Sequence, residues 1–485
     1  MKLGELLRNL DVLDASAAMD MEITGVSYDS RKTQPGDLFV AIRGFESDGH
    51  KFIPAAMARG AAAVLCEEAP SAGTPYVRVA DCRKGLAYVS REFFGDPAKE
   101  MTLIGITGTS GKTTSSYLIK HMLEMKLDAK VGLIGTNGNM IGSECLHSDH
   151  TTPESYELHK LFRRMADEGC THVVMEVSSH ALALERVAGI EYDVGVYTNL
   201  SQDHLDLHGT MEEYAAAKRL LFRQCKLGCL NADDKWTDFM LNGATCKAMT
   251  FSAESDSADL TAKDIRLSAT GVRFAALYKD ELALTRLAIP GNFSVHNALG
   301  AIAVGLSLGI SLADCCDAMA SAKGVKGRVE VVPTDGDYSI IIDYSHKPGA
   351  LETVLQTLRP VVKGRLVCLF GCGGDRDKVK RPIMGAIAAD NSDFVIVTSD
   401  NPRTEEPEEI IREIVAGMKN KRTPKKVICD REEAIHWAID NARPGDVILL
   451  AGKGHEDYQV VGHEKRHMDE REIVADWLEK RKQRG

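Results

Sequence analysis

Long apolar runs are missing from this chain: none approaches the ~20 residues a helix needs to cross a bilayer, so membrane insertion is not expected. Basic residues are in deficit. Fifty-nine Lys and Arg against 70 Asp and Glu leave a formal net charge of −11, which argues against nucleic acid or an anionic membrane surface as the main partner. Any anionic ligand must then be held by local basic clusters. The 12 cysteines form no paired C-x-x-C set. Cys225/Cys229 and Cys315-Cys316 read as packing residues on helices rather than zinc ligands. The start, Met1-Lys2-Leu3-Gly4-Glu5, has no apolar signal-peptide core, so a reducing cytoplasmic location is expected. Short-period repeats and low-complexity tracts are also missing.

What is present is the composition of an ordinary globular protein, 44% hydrophobic and 27% charged over 485 residues, long enough for roughly three domains. The strongest signal is Met101 to Thr114. Leu103, Ile104 and Ile106 read as a buried strand. The turn Gly108-Thr109-Ser110-Gly111 follows, and Lys112, Thr113 and Thr114 lead into a helix expected over Ser115 to Leu123. Glycines let backbone N–H groups approach an anion, and a helix N-terminus adds a positive dipole. Lys112 would reach terminal phosphates and Thr113 would hold Mg²⁺. The pattern G-x-x-x-x-G-K-[ST] would start at position 106, which is Ile106; Gly105 and Gly108 flank it. A bound nucleoside triphosphate is expected.

Residues 1–98 read as a small α/β module, with a strand running into a turn over Ile23 to Arg31, strands at Leu38 to Ile42 and Ala61 to Cys66, and a helix from Ile53 to Arg59 ended by Gly60. Ser30 and Arg31 follow a strand end. Gly95-Asp96-Pro97 reads as a hinge. Residues 99–328 hold the glycine loop and further strands at Val131 to Thr136, His172 to Val177 and Val194 to Leu200. Glu176 falls near a carboxyl strand end, the ligand edge of an open parallel sheet, where a carboxylate suits a Mg²⁺–triphosphate site. His204 follows another strand. Lys218 reads from spacing alone as an exposed lysine of a helix from Tyr214 to Phe222. Residues 329–485 alternate strand and helix, a doubly wound pattern. Three of its loops are rich in polar groups: Gly371 to Lys378, Asp400 to Glu406, and Gly452 to Glu456. Gly371 to Gly374 reads as a second anion nest.

Together these motifs resemble the Mur ligases, ATP-dependent amide-forming enzymes of peptidoglycan synthesis. The resemblance runs nearly the whole length: Asp29-Ser30-Arg31 with Pro35-Gly36-Asp37, the glycine loop, Glu176-Val177-Ser178-Ser179-His180, Asn199 to His204, Tyr214-x-x-x-Lys218, Asp343-Tyr344-x-His346, Gly371 to Pro382 and Gly452 to Glu456. Asp400-Asn401-Pro402-Arg403 resembles the diaminopimelate-adding members; lysine-adding members commonly lack the arginine. The resemblance implies an α/β fold of three domains: a small N-terminal uridine-nucleotide-binding domain, a central P-loop parallel-sheet ATPase domain, and a C-terminal Rossmann-like domain. It implies ATP and Mg²⁺, with UDP-N-acetylmuramoyl-L-alanyl-D-glutamate and meso-2,6-diaminopimelate as substrates, and a monomer is expected.

Residue by residue, the resemblance implies that Ser30, Thr151, Thr152, Ser178 and Arg186 hold the UDP-muramoyl dipeptide. Leu184 stands where some relatives place a glutamine. Lys218 resembles a carbamylated lysine that helps bind metal with Thr113, Glu176 and His204, and Lys112, Glu176, His204 and Lys218 form the catalytic set. Asn297, Arg328 and Asp343 resemble adenine, phosphate and ribose contacts. Ser345, Lys347 and Gly349 depart from the family's pattern after Asp343. Arg376, Asp400 to Arg403, Gly452 and Glu456 would grip diaminopimelate. The chemistry so implied is activation of a γ-carboxylate as an acyl phosphate, followed by amine attack. Rivals are a lysine-adding or D-alanyl-D-alanine-adding sister ligase, a folylpolyglutamate-synthetase-like ligase, and a nucleotide-switched binding protein without bond-forming chemistry.

Overall fold

The apolar runs marked as strands become the centres of the sheets. A computed structural model describes residues 1–44, 47–148 and 150–484. The chain divides into two units, Met1–Thr261 with Leu299–Cys315, and Ala262–Ala298 with Cys316–Gly485.

In the first unit an N-terminal sheet orders Asp14–Ala15, Tyr76–Arg78, Ala63–Cys66, Asp37–Val40 and Gly25–Ser27. All pair in parallel except the Asp14–Ala15 edge. The expected hinge turns through two residues of positive φ, Gly95 at 75° and Asp96 at 52°, before a 3₁₀ turn at Pro97–Glu100. The next sheet runs in parallel through Lys247–Ser252, Cys225–Asn231, Tyr192–Tyr197, Thr102–Thr107, His172–Glu176 and Val131–Gly135. Antiparallel strands Gly138–Ile141 and Glu144–Leu146 extend its edge. Leu103, Ile104 and Ile106 are fully buried at its centre.

In the second unit a six-stranded sheet orders Glu330–Val332, Ser339–Asp343, Val447–Ala451, Leu366–Phe370, Phe394–Val397 and Lys425–Val427. The first is antiparallel and the rest are parallel. Helices such as Pro348–Leu358, Lys380–Asn391 and Pro407–Ala416 connect the strands, as the alternation predicted. A hairpin of Gly271–Tyr278 and Glu281–Leu287 went unread because its outer face alternates with charge and looks like loop.

Two expectations shift locally. The glycine-loop helix spans Lys112–Leu127 and starts before Ser115, because Gly111 in the left-handed region, φ 85°, turns the chain directly into it. Cys225 and Cys229 pack in the core as expected, but on the strand Cys225–Asn231 and not on a helix. The preceding helix has already ended in the 3₁₀ turn Leu220–Arg223.

The helix Ser155–Asp167 turns Leu158, His159, Phe162 and Met165 inward. His159 is fully buried, and neither ring nitrogen has a hydrogen-bond partner. Burial, with Arg91 second, pushes its pKa down to about 3. The folded state therefore keeps the ring neutral while the unfolded chain takes up a proton below about 6.5. Stability contributed by this neutral ring is present above that value and falls by about 1.4 kcal/mol per pH unit as pH drops toward 3. His159→Leu removes this term. Denaturant unfolding of the variant is expected to show a flatter decline between pH 7 and 5 than the wild type; parallel declines would contradict the assignment.

Candidate functional site

The strand Thr102–Thr107 lies where the strand order reverses, between His172–Glu176 and Tyr192–Tyr197, the position at which open α/β sheets bind ligands. Its loop begins at Gly108, with φ 148°. A side chain there would strike the Thr198 hydroxyl, so the glycine is required at 108 and not at 106. Asn199 ties the loop down: its carbonyl accepts from Thr109 N–H at 2.9 Å and its Oδ1 from Ser110 N–H at 3.0 Å. Lys112 Nζ folds back and donates to the carbonyls of Gly108 at 2.8 Å and Thr109 at 3.0 Å.

Glu176 is the last residue of its strand and is buried. Its Oε1 accepts from Thr113 Oγ1 at 2.9 Å and from Thr136 N–H at 3.0 Å, and its Oε2 from Thr136 Oγ1 at 3.2 Å. Thr114, also buried, follows in the first turn. Thr113 and Glu176 thus offer adjacent hard oxygens, a donor set that fits Mg²⁺.

Lys218 overturns the exposed-lysine expectation: it is 1% exposed. It lies on the helix Met211–Arg219, one turn after Tyr214 on the same face. Its Nζ donates to Gly108 O at 2.8 Å and stands 4.6 Å from the Tyr214 ring centre. Burial, then Lys112, holds its pKa well below the ordinary lysine range. Spacing could not show this, because what covers Lys218 is the distant glycine loop, through the Gly108 carbonyl. His204 adopts φ 53°. Its ring stands 4.8 Å from that of His180 and 6.4 Å from that of Tyr214, measured between centres. Glu176 and Lys218 therefore reach the loop at Thr113 and Gly108 respectively, and His204 joins through Tyr214. Among the described residues, no group of three or more His, Cys, Asp and Glu is placed to hold a metal.

Behind Glu176 four of the expected dipeptide residues form one network. Thr152 Oγ1 donates to Glu176 O at 2.8 Å and accepts from Ser178 N–H at 3.1 Å. Arg186 Nη1 donates to Thr152 O at 3.1 Å. Thr151 Oγ1 meets Thr136 Oγ1 at 3.0 Å. Ser30 sits apart, half-buried in the Asp29–Arg31 turn. Leu184 ends the short helix Ser179–Ala183.

In the second unit, Arg328 and Asp343 come together around one segment. Asp343 Oδ2 accepts from Val329 N–H at 2.9 Å, and the Arg328 guanidinium stands 5.3 Å from the Tyr344 ring centre. Burial raises the Asp343 carboxyl. Asn297 is buried on the helix Phe293–Ser307.

The three polar loops come together at one cavity, joined by a fourth after Ser339–Asp343. They follow Ser339–Asp343, Leu366–Phe370, Phe394–Val397 and Val447–Ala451, and line a cavity of about 590 Å³. Arg376, Asp400, Asn401, Arg403, Gly452 and Glu456 all face it; Pro402 is buried outside the lining. Arg376 is exposed, while Arg403 is half-buried, at φ 51°, and donates from Nη1 to Gly374 O at 2.8 Å. Glu456 Oε2 accepts from Asn401 Nδ2 at 2.9 Å. The expected anion nest is corrected here. Gly373 and Gly374 turn carbonyls to Arg381 and Arg403, and Gly374 N–H is taken by Asn401 O. Lys380, whose Nζ donates to His346 O at 2.9 Å, also lines the cavity. It lies inside the quoted Gly371 to Pro382 stretch, at the first residue of the helix Lys380–Asn391, and spacing did not single it out.

Models of one family match almost end to end: "Mur ligase family, catalytic domain" at residues 22–96, "Mur ligase middle domain" at 106–305, and "Mur ligase, glutamate ligase domain" at 327–454. The chain belongs to the Mur ligase family, with its three α/β domains. A relative from Caldanaerobacter subterraneus subsp. tengcongensis, named UDP-N-acetylmuramoyl-L-alanyl-D-glutamate--2,6-diaminopimelate ligase, is 46% identical over 481 residues, covering 99% of each chain. A Clostridium acetobutylicum relative, bearing that name with the number 1, is 44% identical over 483 residues, again 99% of each. A solved structure titled with the same ligase name is 33% identical, with a TM-score of 0.77 and 99% coverage of both chains. The MurF ligase of Thermotoga maritima in complex with ADP shares the fold, at 21% identity, TM-score 0.60, and coverage of 96% of this chain and 100% of that one.

Beside the cavity, Arg381 is fully buried, pairs with Glu405 at 2.9 Å and Glu413 at 2.7 Å, and donates to Gly373 O at 3.2 Å. Its guanidinium holds Glu405 down at about 2. Both carboxylates keep some contact with solvent, so losing Arg381 costs about 1.5–3 kcal/mol, the worth of its charge-assisted bonds. Arg381→Met is expected to lower the urea midpoint accordingly; an unchanged midpoint would show that the latch adds nothing.

Proposed function

We infer that the chain is an ATP-dependent ligase joining meso-2,6-diaminopimelate to the D-glutamyl γ-carboxylate of UDP-N-acetylmuramoyl-L-alanyl-D-glutamate, with release of ADP and phosphate. The cavity at the carboxyl edge of the C-terminal sheet carries this reading, since its lining combines two arginines, Arg376 and Arg403, with the carboxylates of Asp377, Asp400 and Glu456. Full-length relatives named for that reaction support it.

A carboxylate resists amine attack because its oxygen is a poor leaving group. Transfer of the γ-phosphoryl of ATP to a carboxylate oxygen gives an acyl phosphate. The amine nitrogen then attacks the carbonyl carbon, the tetrahedral intermediate expels phosphate, and the nitrogen loses a proton. Lys112 exchanges its loop carbonyls for phosphate oxygens, and the amides of Gly111 to Thr114, at the start of the helix, add fixed dipoles. Asn297, Arg328 and Asp343 take the adenine, phosphate and ribose. Thr113 and Glu176 would hold Mg²⁺, with His204 and Lys218 beside them; bound there, the ion would screen the repulsion between triphosphate and carboxylate. The lowered pKa of Lys218 favours the neutral amine. That nitrogen adds to the carbon of CO₂ and sheds a proton, giving a carbamate anion. Ser30, Thr151, Thr152, Ser178 and Arg186 hold the UDP-muramoyl dipeptide.

Diaminopimelate brings a second zwitterionic head. Arg403 and Arg376 take its carboxylate in bidentate fashion. Glu456 and Asp400 take its ammonium, while Asn401, Pro402 and Gly452 shape the turn around it. Lysine has no distal carboxylate and would leave the arginines unmatched, so discrimination comes from a missing partner. The proposed chemistry places the chain in the cytoplasm, acting as a monomer.

Loss of a charge-assisted bond is worth about 1.5–3 kcal/mol. Arg403→Ala is therefore expected to lower kcat/KM for diaminopimelate by roughly 10- to 100-fold, with KM for ATP unchanged. Steady-state kinetics showing unaltered use of diaminopimelate would refute the grip. Lys218→Ala is expected to abolish tripeptide formation, with no rescue by bicarbonate; a fully active variant would remove the carbamate from the account.

A further inference from the structure

Lys453 is fully buried in the loop after Val447–Ala451 and does not line the cavity. Its Nζ donates to Tyr458 O at 2.6 Å and Asn401 Oδ1 at 3.1 Å, and lies 3.4 Å from Asp400 Oδ1 and 3.5 Å from Glu456 Oε2. A buried ammonium is tolerated when paired and hydrogen-bonded, and here it meets two carboxylates at once. Asn401 Oδ1 also accepts from Val460 N–H at 3.0 Å. Two donors on that oxygen fix the amide, so its Nδ2 must face Glu456. The contacts of Asn401 and Lys453 both fall on Glu456 Oε2, leaving Oε1 for a ligand in the cavity.

We propose that Lys453 is a positioning and specificity residue. Beneath the cavity it locks Asn401 and Glu456 in place and offsets part of the negative charge of Asp400 and Glu456, so that Glu456 meets the ammonium of an amino-acid head ionised and in one fixed position. This rests on the diaminopimelate reading. Lys453 touches no substrate and acts through Glu456. The charged and titratable groups facing Glu456 are Asp400 from the loop after Phe394–Val397, Tyr344 from the loop after Ser339–Asp343, and Lys453 and Tyr458 on its own loop. Burial already raises the Glu456 carboxyl, and Asn401 and Lys453 draw it back. Without the ammonium it rises further, so the ionised form needed to bind is lost at higher pH.

Wild-type turnover with diaminopimelate is measured first; its absence overturns the functional reading and this proposal with it. Given turnover, Lys453→Met is expected to raise KM for diaminopimelate at least tenfold and leave KM for ATP unchanged. It is also expected to move the acid limb of the kcat/KM profile up by about one pH unit. Glu456→Gln alone raises the same KM, and Lys453→Met/Glu456→Gln matches it without a further rise. The double variant removes a carboxylate together with its counter-charge, so it decides the matter if the single lysine variant fails to fold. Unchanged KM and pH profile in Lys453→Met, or additive losses in the double variant, would overturn the Lys453 role while leaving the ligase reading intact.

Discussion

One hydrogen bond organises the nucleotide end of the molecule: the Thr113 hydroxyl donating to the Glu176 carboxylate over 2.9 Å. It joins the first turn of the glycine-loop helix to the end of the neighbouring strand, and so fixes where two oxygens converge beside the loop. The same strand end carries the next layer outward. Glu176 O holds Thr152, Thr152 holds Ser178, and Arg186 closes onto Thr152 O. The glycine-loop helix and the Thr152–Ser178–Arg186 network therefore share one strand terminus, where the proposed reaction would place the triphosphate and the carboxylate. That is what phosphoryl transfer between two anions demands, because rate is gained by orientation more than by new bonding. Lys218 completes the arrangement from the other side, its buried amine held on Gly108 O.

The C-terminal module solves a different electrostatic problem. In the proposed function its cavity takes a zwitterion within a chain of net charge −11, so charge has to be balanced locally. Each exposed function has a buried counterpart. Arg403 reaches the cavity while Arg381 beneath it is spent on Glu405 and Glu413. Glu456 lines the cavity while Lys453 lies under it. Arg431 and Glu470, both fully buried, pair at 2.8 Å, and Arg431 Nη2 donates to Ala451 O at 3.0 Å, holding the end of the strand that precedes the Lys453 loop. Parallel strands bring these loops to one edge, and buried ion pairs give each loop a single shape.

Much of this was legible in the sequence, for a physical reason. Parallel strands buried on both faces are continuous apolar runs, as Leu366–Phe370 and Val447–Ala451 are. The convergence of the loops then follows from topology alone. The departures cluster where tertiary contact decides. Lys218 among alanines looks solvated until the glycine loop is laid against it. Gly371 to Gly374 resembles a nest until two arginines claim its carbonyls. Lys453 stood inside a quoted motif, yet no spacing rule distinguishes a buried lysine from an exposed one. The roles of Lys218 and Asn297 came through family resemblance and not through pattern.

The central claim is that a carboxylate oxygen leaves the substrate on phosphate. It is tested most directly by labelling the D-glutamyl γ-carboxylate of the UDP-muramoyl dipeptide with ¹⁸O and following turnover with ATP and diaminopimelate by mass spectrometry. One ¹⁸O in each phosphate released, matched by one tripeptide formed and absent when diaminopimelate is withheld, is the predicted result. Unlabelled phosphate released at the same rate with or without the amino acid would contradict the account.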